Sequence, residues 1–465
     1  MPPHGGSVIR GTSIRLWTLS LVSFLLAGML ASNTADAQDD PAVAAFLQIL
    51  LGDETAAEEA LTLVERQWHA GFVPMSLELM HLGAAPARSS RLIALLEEET
   101  EQQLGYDLAA WYEWIWNRPS APHPAYGDFK SLLYSLIDPA FRMYFSSARQ
   151  TEIRLDEIRW GGVLQDGIPP LRSPRMLAAD EATYLADSNI VFGLEVNGDA
   201  RAYPKRILAW HEMFVDHIGD VPVAGVYCTL CGAMVLYKTE HAGVNHELGT
   251  SGFLYRSNKL MYDRATQSLW NTLWGTPVVG PLVGHGIELE TLGVVTTTWG
   301  AWRKRHPQTL VLSQDTGYTR DYSEGAAYRE YFATDELMFN VPVLDRRLKN
   351  KDEILGFIMG GEEFRPLALA SSFLQQNSLY HDKVGQQDIV ILTDDSGAHR
   401  VYETGGTMFE SWDRFATAID SDGTPWKLSE ARLESDDGRI KNRLPAHRAF
   451  WFGWYSAYPN TRLIH

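Results

Sequence analysis

The sequence predicts an α+β protein in which an N-terminal α-helical domain is followed by two tandem, related, strand-rich units. Three observations carry that prediction. Between about residues 41 and 145, apolar side chains recur three and four apart, as at Leu61, Val64 and Trp68 or Leu92, Leu95 and Leu96, which is the period of a helix with one buried face. After Trp160 the chain changes to segments punctuated by glycine and proline and rich in β-branched and aromatic residues, the composition of strands and turns. Those segments then repeat. WGAWRKRHPQTLVL (299–312) and WFGWYSAYPNTRLI (451–464) share W-x-x-W, a proline five residues on and a threonine two after that. VYCTLCGAMVLYK (226–238) lies over ILTDDSGAHRVYE (391–403), matching Gly232 to Gly397 and Tyr237 to Tyr402. VFGLEVNGD (191–199) lies over ILGFIMGGE (354–362), matching Gly193 to Gly356 and Gly198 to Gly361. Three matches in one order imply two copies, approximately 188–313 and 351–465.

Residues 1–37 read as an export leader. Arg10 and Arg15 precede an apolar run, 16–31, and Ala35, Asp36 and Ala37 supply the small-x-small pattern of a cleavage site. The run is short for a membrane span, which takes about 20 apolar residues. A mature chain starting near Gln38, without a transmembrane anchor and located in the periplasm or secreted, is expected. Residues 38–150 form the helical domain, where the helical spacing of Trp111, Trp114 and Trp116 favours core packing over a binding platform. Residues 151–313 form the first strand-rich unit, 314–350 a connector, and 351–465 the second, degenerate copy.

The formal charge is −18, and loss of the leader, with its two arginines and one aspartate, makes it more negative still. Nucleic acid and anionic membrane surfaces, which need a basic footprint, are therefore excluded as expected partners. A small molecule or another protein remains.

The chain has two cysteines, Cys228 and Cys231, in YCTLCG (227–232). Upstream, Pro204 can open a helix that places Ile207, Leu208, His211, Phe214 and Val215 on one face, with His211 inward. VPVAGVY (221–227), apolar throughout, reads as a buried strand that delivers Cys228, and AMVLYK (233–238) as the strand that leaves. A strand, C-x-x-C-G and a returning strand resemble the knuckle of zinc ribbons. One knuckle is half a tetrahedral site, so the other ligands must come from His211, Glu212, His246 or Met261. Two cysteines and a histidine suit Zn²⁺; adding the Met261 thioether favours Cu(I). Glu212 is the candidate acid/base or supporting group. The second copy carries Thr393 and Ser396 over the cysteines and no histidine where His211 should recur, as expected if these residues form one site.

WGGVLQDGIPPLRSP, NGDARAYPKRILAWHE, VYCTLCGAMVLY, GTSGFLYRSNKLMYDRATQSLW and FWFGWYSAYPNT together resemble the bacterial family catalogued as domain of unknown function 3179, from about Trp160 onward. The resemblance implies no activity and no residue roles. Metal binding or metal-assisted catalysis is thus the leading functional expectation. The alternatives are a non-catalytic periplasmic binding or scaffold protein with a structural C-x-x-C disulfide, and a thiol–disulfide oxidoreductase. Ser251, Tyr255, Ser257, Asn258 and Asp263 either line a polar pocket beside the knuckle or satisfy the turns of a hairpin. Arg201 and Tyr203 either bind an anion or hold a strand edge.

Overall fold

The computed structural model of the chain describes residues 40–359 and 365–465. The leader expected at 1–37 and the expected Gly361 counterpart of Gly198 lie outside the described residues. Helices occupy the N-terminal part: Pro41–Leu51, Glu54–Arg66, Phe72–His81, Pro86–Thr100, Leu108–Trp116 and Tyr126–Ser135. Asp40, Asp53 and Asp107 begin three of them, each accepting from a backbone N–H of the first turn that has no partner inside the helix. Among the described residues no helix is long and apolar enough to cross a membrane.

Helices and sheet share one core. Phe129, Leu133 and Tyr144 belong to the same apolar cluster as Phe253, Leu260 and Val278. Within the helical layer Glu78 and Lys130, both 0% exposed, form an ion pair. Lys130 Nζ also donates to the carbonyl of Ile158 at 2.8 Å. That bond ties the helices to the strand Ile158–Trp160, which pairs antiparallel with Leu248–Tyr255. The helical layer thereby becomes a backing for the hairpin Leu248–Tyr255 and Asn258–Asp263.

The strand-rich part is an α+β arrangement. One sheet contains, in spatial order, Val295–Thr298, Ile190–Val196, Asp199–Pro204, Leu310–Leu312 and Met176–Ala178. Another contains Ala446–Phe450, Glu353–Met359, Arg365–Ala370 and Arg462–Ile464. In each, an antiparallel hairpin is flanked by an antiparallel strand on one side and a parallel strand on the other. The helices Trp299–Arg305 and Trp451–Ala457 fill corresponding places in these orders. A Cβ at Gly193 would lie 2.2 Å from the Trp302 ring, and one at Gly356 would lie 2.1 Å from the Trp454 ring. Trp302 Nε1 donates to Thr309 Oγ1 at 2.9 Å, and Trp454 Nε1 to Thr461 Oγ1 at 3.0 Å. The threonine seven residues after each tryptophan thus satisfies an indole N–H that burial would otherwise orphan.

The cysteine region is a meander of Met213–Ile218, Val221–Cys228 and Ala233–Lys238. The helix before it, Lys205–His211, is shorter than the sequence suggests. Phe214 and Val215, expected on the helix face of His211, lie in the first meander strand, because Glu212 takes a left-handed φ of 56° and ends the helix. The connector contributes a short helix, Arg329–Phe332, beside the meander turn.

Candidate functional site

Cys228 ends its strand and Cys231 follows across the turn, and the two sulfurs form a disulfide. This overturns the expected Zn or Cu centre. The thiolates a metal would need are joined to each other, and the other expected ligands are committed elsewhere. His211 Nδ1 lies 3.0 Å from the Pro169 carbonyl and Nε2 2.6 Å from the Tyr322 hydroxyl. Its burial pushes the imidazole pKa down. His246 Nδ1 lies 3.1 Å from Asp263 Oδ2, against the Trp270 ring. Met261 is fully buried in the apolar cluster that contains both cysteines. Among the described residues no group of three or more His, Cys, Asp or Glu side chains could hold a metal ion.

The disulfide is sealed on one side and open on the other. A Cβ on Gly453 would sit 2.5 Å from Cys231 Cβ, so the helix Trp451–Ala457 lies directly on Cys231. Phe450 N–H donates to the Cys231 carbonyl at 2.7 Å and the Tyr331 hydroxyl to the Leu230 carbonyl at 2.7 Å. Cys228, by contrast, lines a cavity of about 60 Å³ with Val163, Leu254, Leu260 and Phe339. Met338, 54% exposed, stands at its mouth. That volume holds several waters or a small organic group.

The polar wall of this cavity is Glu212, Lys259, Thr229, Thr250 and Tyr328. Glu212 is brought there by its left-handed backbone, a conformation costly for a residue with a Cβ. Its N–H bonds back to the Leu208 carbonyl at 2.7 Å, and its carbonyl accepts from Tyr227 N–H at 2.8 Å. The carboxylate accepts from Thr229 Oγ1 at 2.7 Å and from the Tyr328 hydroxyl at 3.0 Å, both on Oε1. Oε2 is left for Lys259, whose ammonium pairs with it. Burial pushes the Lys259 pKa down, and the Glu212 carboxylate works against that shift. Burial and the same carboxylate raise the Tyr328 pKa, so its hydroxyl stays a donor.

Of the residues singled out in the sequence, the fold gathers Cys228, Cys231 and Glu212 and separates His211 and His246 from them. Ser251 Oγ donates to the Leu260 carbonyl at 2.6 Å and Ser257 Oγ to the Phe339 carbonyl at 3.0 Å. Asp263 Oδ1 caps the turn at Ala265 and Thr266. Ser251 and Asp263 therefore satisfy backbone groups of the hairpin and the turn after it, Ser257 ties the hairpin to the connector, and none of the three lines the cavity. Arg201 bridges Asp199 and Asp216, at 2.7 and 2.6 Å. Lys259 and Tyr328 were missed: one reads as a surface hairpin lysine, the other lies in the connector. The turn between Thr393 and His399, matched in sequence to the cysteine turn, has no disulfide; the Asp394 carboxylate closes it by accepting from Ser396 N–H at 2.9 Å and Ala398 N–H at 3.1 Å.

Fold and site together define an α+β protein with a disulfide-walled pocket over a buried ion pair. The chain belongs to the family described as a protein of unknown function, DUF3179, whose model matches residues 165–461 and so spans the first hairpin sheet, all but the last strand of the second, and the pocket wall from Ile168 to Phe339. No curated protein and no solved structure matches it.

Proposed function

We propose that this chain is an exported, non-catalytic binding protein whose cavity beside Cys228 takes a small, largely apolar molecule bearing one hydrogen-bond acceptor. The observation that carries this reading is Lys259. A buried ammonium has three N–H donors, and among the described residues its partner is Glu212 alone. Donors left over inside a protein call for an acceptor, and the open space beside them is where one fits. The disulfide acts as a clamp on the pocket wall. Export is supported by the leader pattern of 1–37 and by a disulfide, which persists in oxidising compartments.

Propionamide tests the pocket: saturation-transfer NMR should show it bound to the wild type, and Val163→Trp, which adds bulk to the cavity wall, should abolish the transfer. Equal transfer in both proteins would sink the reading. Thiol–disulfide exchange is a second reading, favoured by one observation: Cys228 faces the cavity whereas Cys231 is sealed. Titration with dithiothreitol separates the two. A clamp stays oxidised until the chain unfolds, and an exchange centre gains two protons while folded. We also propose that 188–313 and 351–465 are copies of one unit; the matched strand orders and the two Trp–Gly contacts support it.

A further inference from the structure

The protein contains two buried lysine–glutamate pairs that differ in one respect. Lys130 is saturated: Nζ pairs with Glu78, donates to the Ile158 carbonyl at 2.8 Å, and lies within 5.7 Å of the ring centres of Tyr126, Tyr134 and Phe145. Its carboxylate, carbonyl and ring partners surround the ammonium. Lys259 is also buried yet meets Glu212 and a cavity. The geometry around Glu212 is also asymmetric. Thr229 and Tyr328 both donate to Oε1, which fixes the carboxylate and leaves Oε2 free to exchange a proton with Lys259. A lysine amine in a largely apolar pocket with a carboxylate on its nitrogen has what addition to a carbonyl requires.

We propose that Lys259 binds a small aldehyde or ketone covalently, as a reversible imine, with Glu212 carrying the protons; this deepens the pocket reading and rests on it. The ammonium first passes one proton to Glu212 Oε2. The freed Nζ lone pair then forms a bond to the carbonyl carbon, the C=O π electrons move to oxygen, and the nitrogen passes its second proton to that oxygen, giving a neutral carbinolamine. The hydroxyl leaves as water, protonated through Glu212, as the C=N bond forms. The net change is ammonium plus carbonyl giving a protonated imine plus water, with Glu212 again a carboxylate beside it, and nothing is oxidised or reduced. The nearby apolar side chains Leu254, Leu260 and Phe339 suit the carbon end of such a molecule, and the enclosure limits the water that would reverse the step.

The test uses the full chain with propanal and sodium cyanoborohydride, which reduces an imine to a stable propylamine, followed by peptide mass mapping. Each unit by which an amine pKa falls raises its free-amine fraction about tenfold near neutral pH. Burial lowers the Lys259 pKa and so raises its free-amine fraction, and the cavity holds the aldehyde beside it, so Lys259 should gain the propyl group before the exposed Lys304 and Lys349. Lys259→Arg, which keeps the charge but forms no imine, should lose that fast adduct and leave the slow ones. Modification of wild-type Lys259 no faster than Lys304 would overturn the proposal without any variant. Propionamide, of similar shape but unable to form the imine, separates the two readings. If it binds while Lys259 resists alkylation, the imine falls and the pocket stands; if it does not bind and Lys259 resists, both fall.

Discussion

Lys259 lies in SNKLMYDR (257–264), a stretch whose composition reads as an exposed hairpin, and its carboxylate partner arrives from the end of a distant helix. Glu212 is legible in sequence as a candidate acid/base or supporting group, but not as the residue that leaves helical geometry. The histidines were misread for a related reason: a buried imidazole needs partners, and Tyr322 and Asp263 supply them from segments whose proximity no local spacing encodes. Breaking the pair tests this scale. Glu212→Gln leaves a buried ammonium without its counter-charge and should cost about 3 kcal/mol in urea unfolding at neutral pH. Adding Lys259→Met to that variant should restore most of the loss. No change on Glu212→Gln would mean that Lys259 already meets another anion. The disulfide closes a very short loop, so Cys228→Ser with Cys231→Ser should cost about 2 kcal/mol and leave a folded chain.

At the scale of elements, the strands around the cysteines follow from their apolar runs, whereas the W-x-x-W segments, legible only as a repeat, form the helices Trp299–Arg305 and Trp451–Ala457. What the pattern does not carry is contact distance. Gly193 and Gly356 look like ordinary strand glycines, yet each leaves room for a tryptophan ring that a single methyl group would strike. Gly193→Ala and Gly356→Ala should therefore each destabilise by about 1–3 kcal/mol or more, and by similar amounts. Thermal unfolding of the two variants measures this, and a cost at one position alone would break the equivalence of the two sheets. The connector is the element least visible in sequence. Its tyrosines at 322, 328 and 331 reach His211, Glu212 and the Leu230 carbonyl, contacts made across sequence separations of 111, 116 and 101 residues.

Over the whole molecule, the change from helical to strand composition near Trp160 was plain, but the shared core that joins the two parts was not. The Lys130 bond to Ile158 and the packing of Phe253 against Tyr134, Phe141 and Phe145 make the helical layer a support for the pocket hairpin. Burial also sets the pH response. His81, half-buried beside Arg159, and His447, buried in the second hairpin sheet, have pKa values lowered from 6.5 to about 4. The unfolded chain then binds protons that the folded chain refuses, so stability is full above about pH 6.5 and falls as the pH drops toward 4. Each histidine contributes at most about 3 kcal/mol to that loss. Urea midpoints at pH 7, 5.5 and 4.5 should decrease in that order; a flat series would mean that one or both imidazoles protonate in place.

The pocket over Glu212 and Lys259 is the centre of this account, and a crystal soaked in propionamide addresses it most directly. The account predicts density in the cavity beside Cys228, its carbonyl oxygen within hydrogen-bond distance of Lys259 Nζ and its carbon chain against Leu254 and Leu260. A cavity that stays free of the amide, with Lys259 held entirely by ordered water, would contradict it.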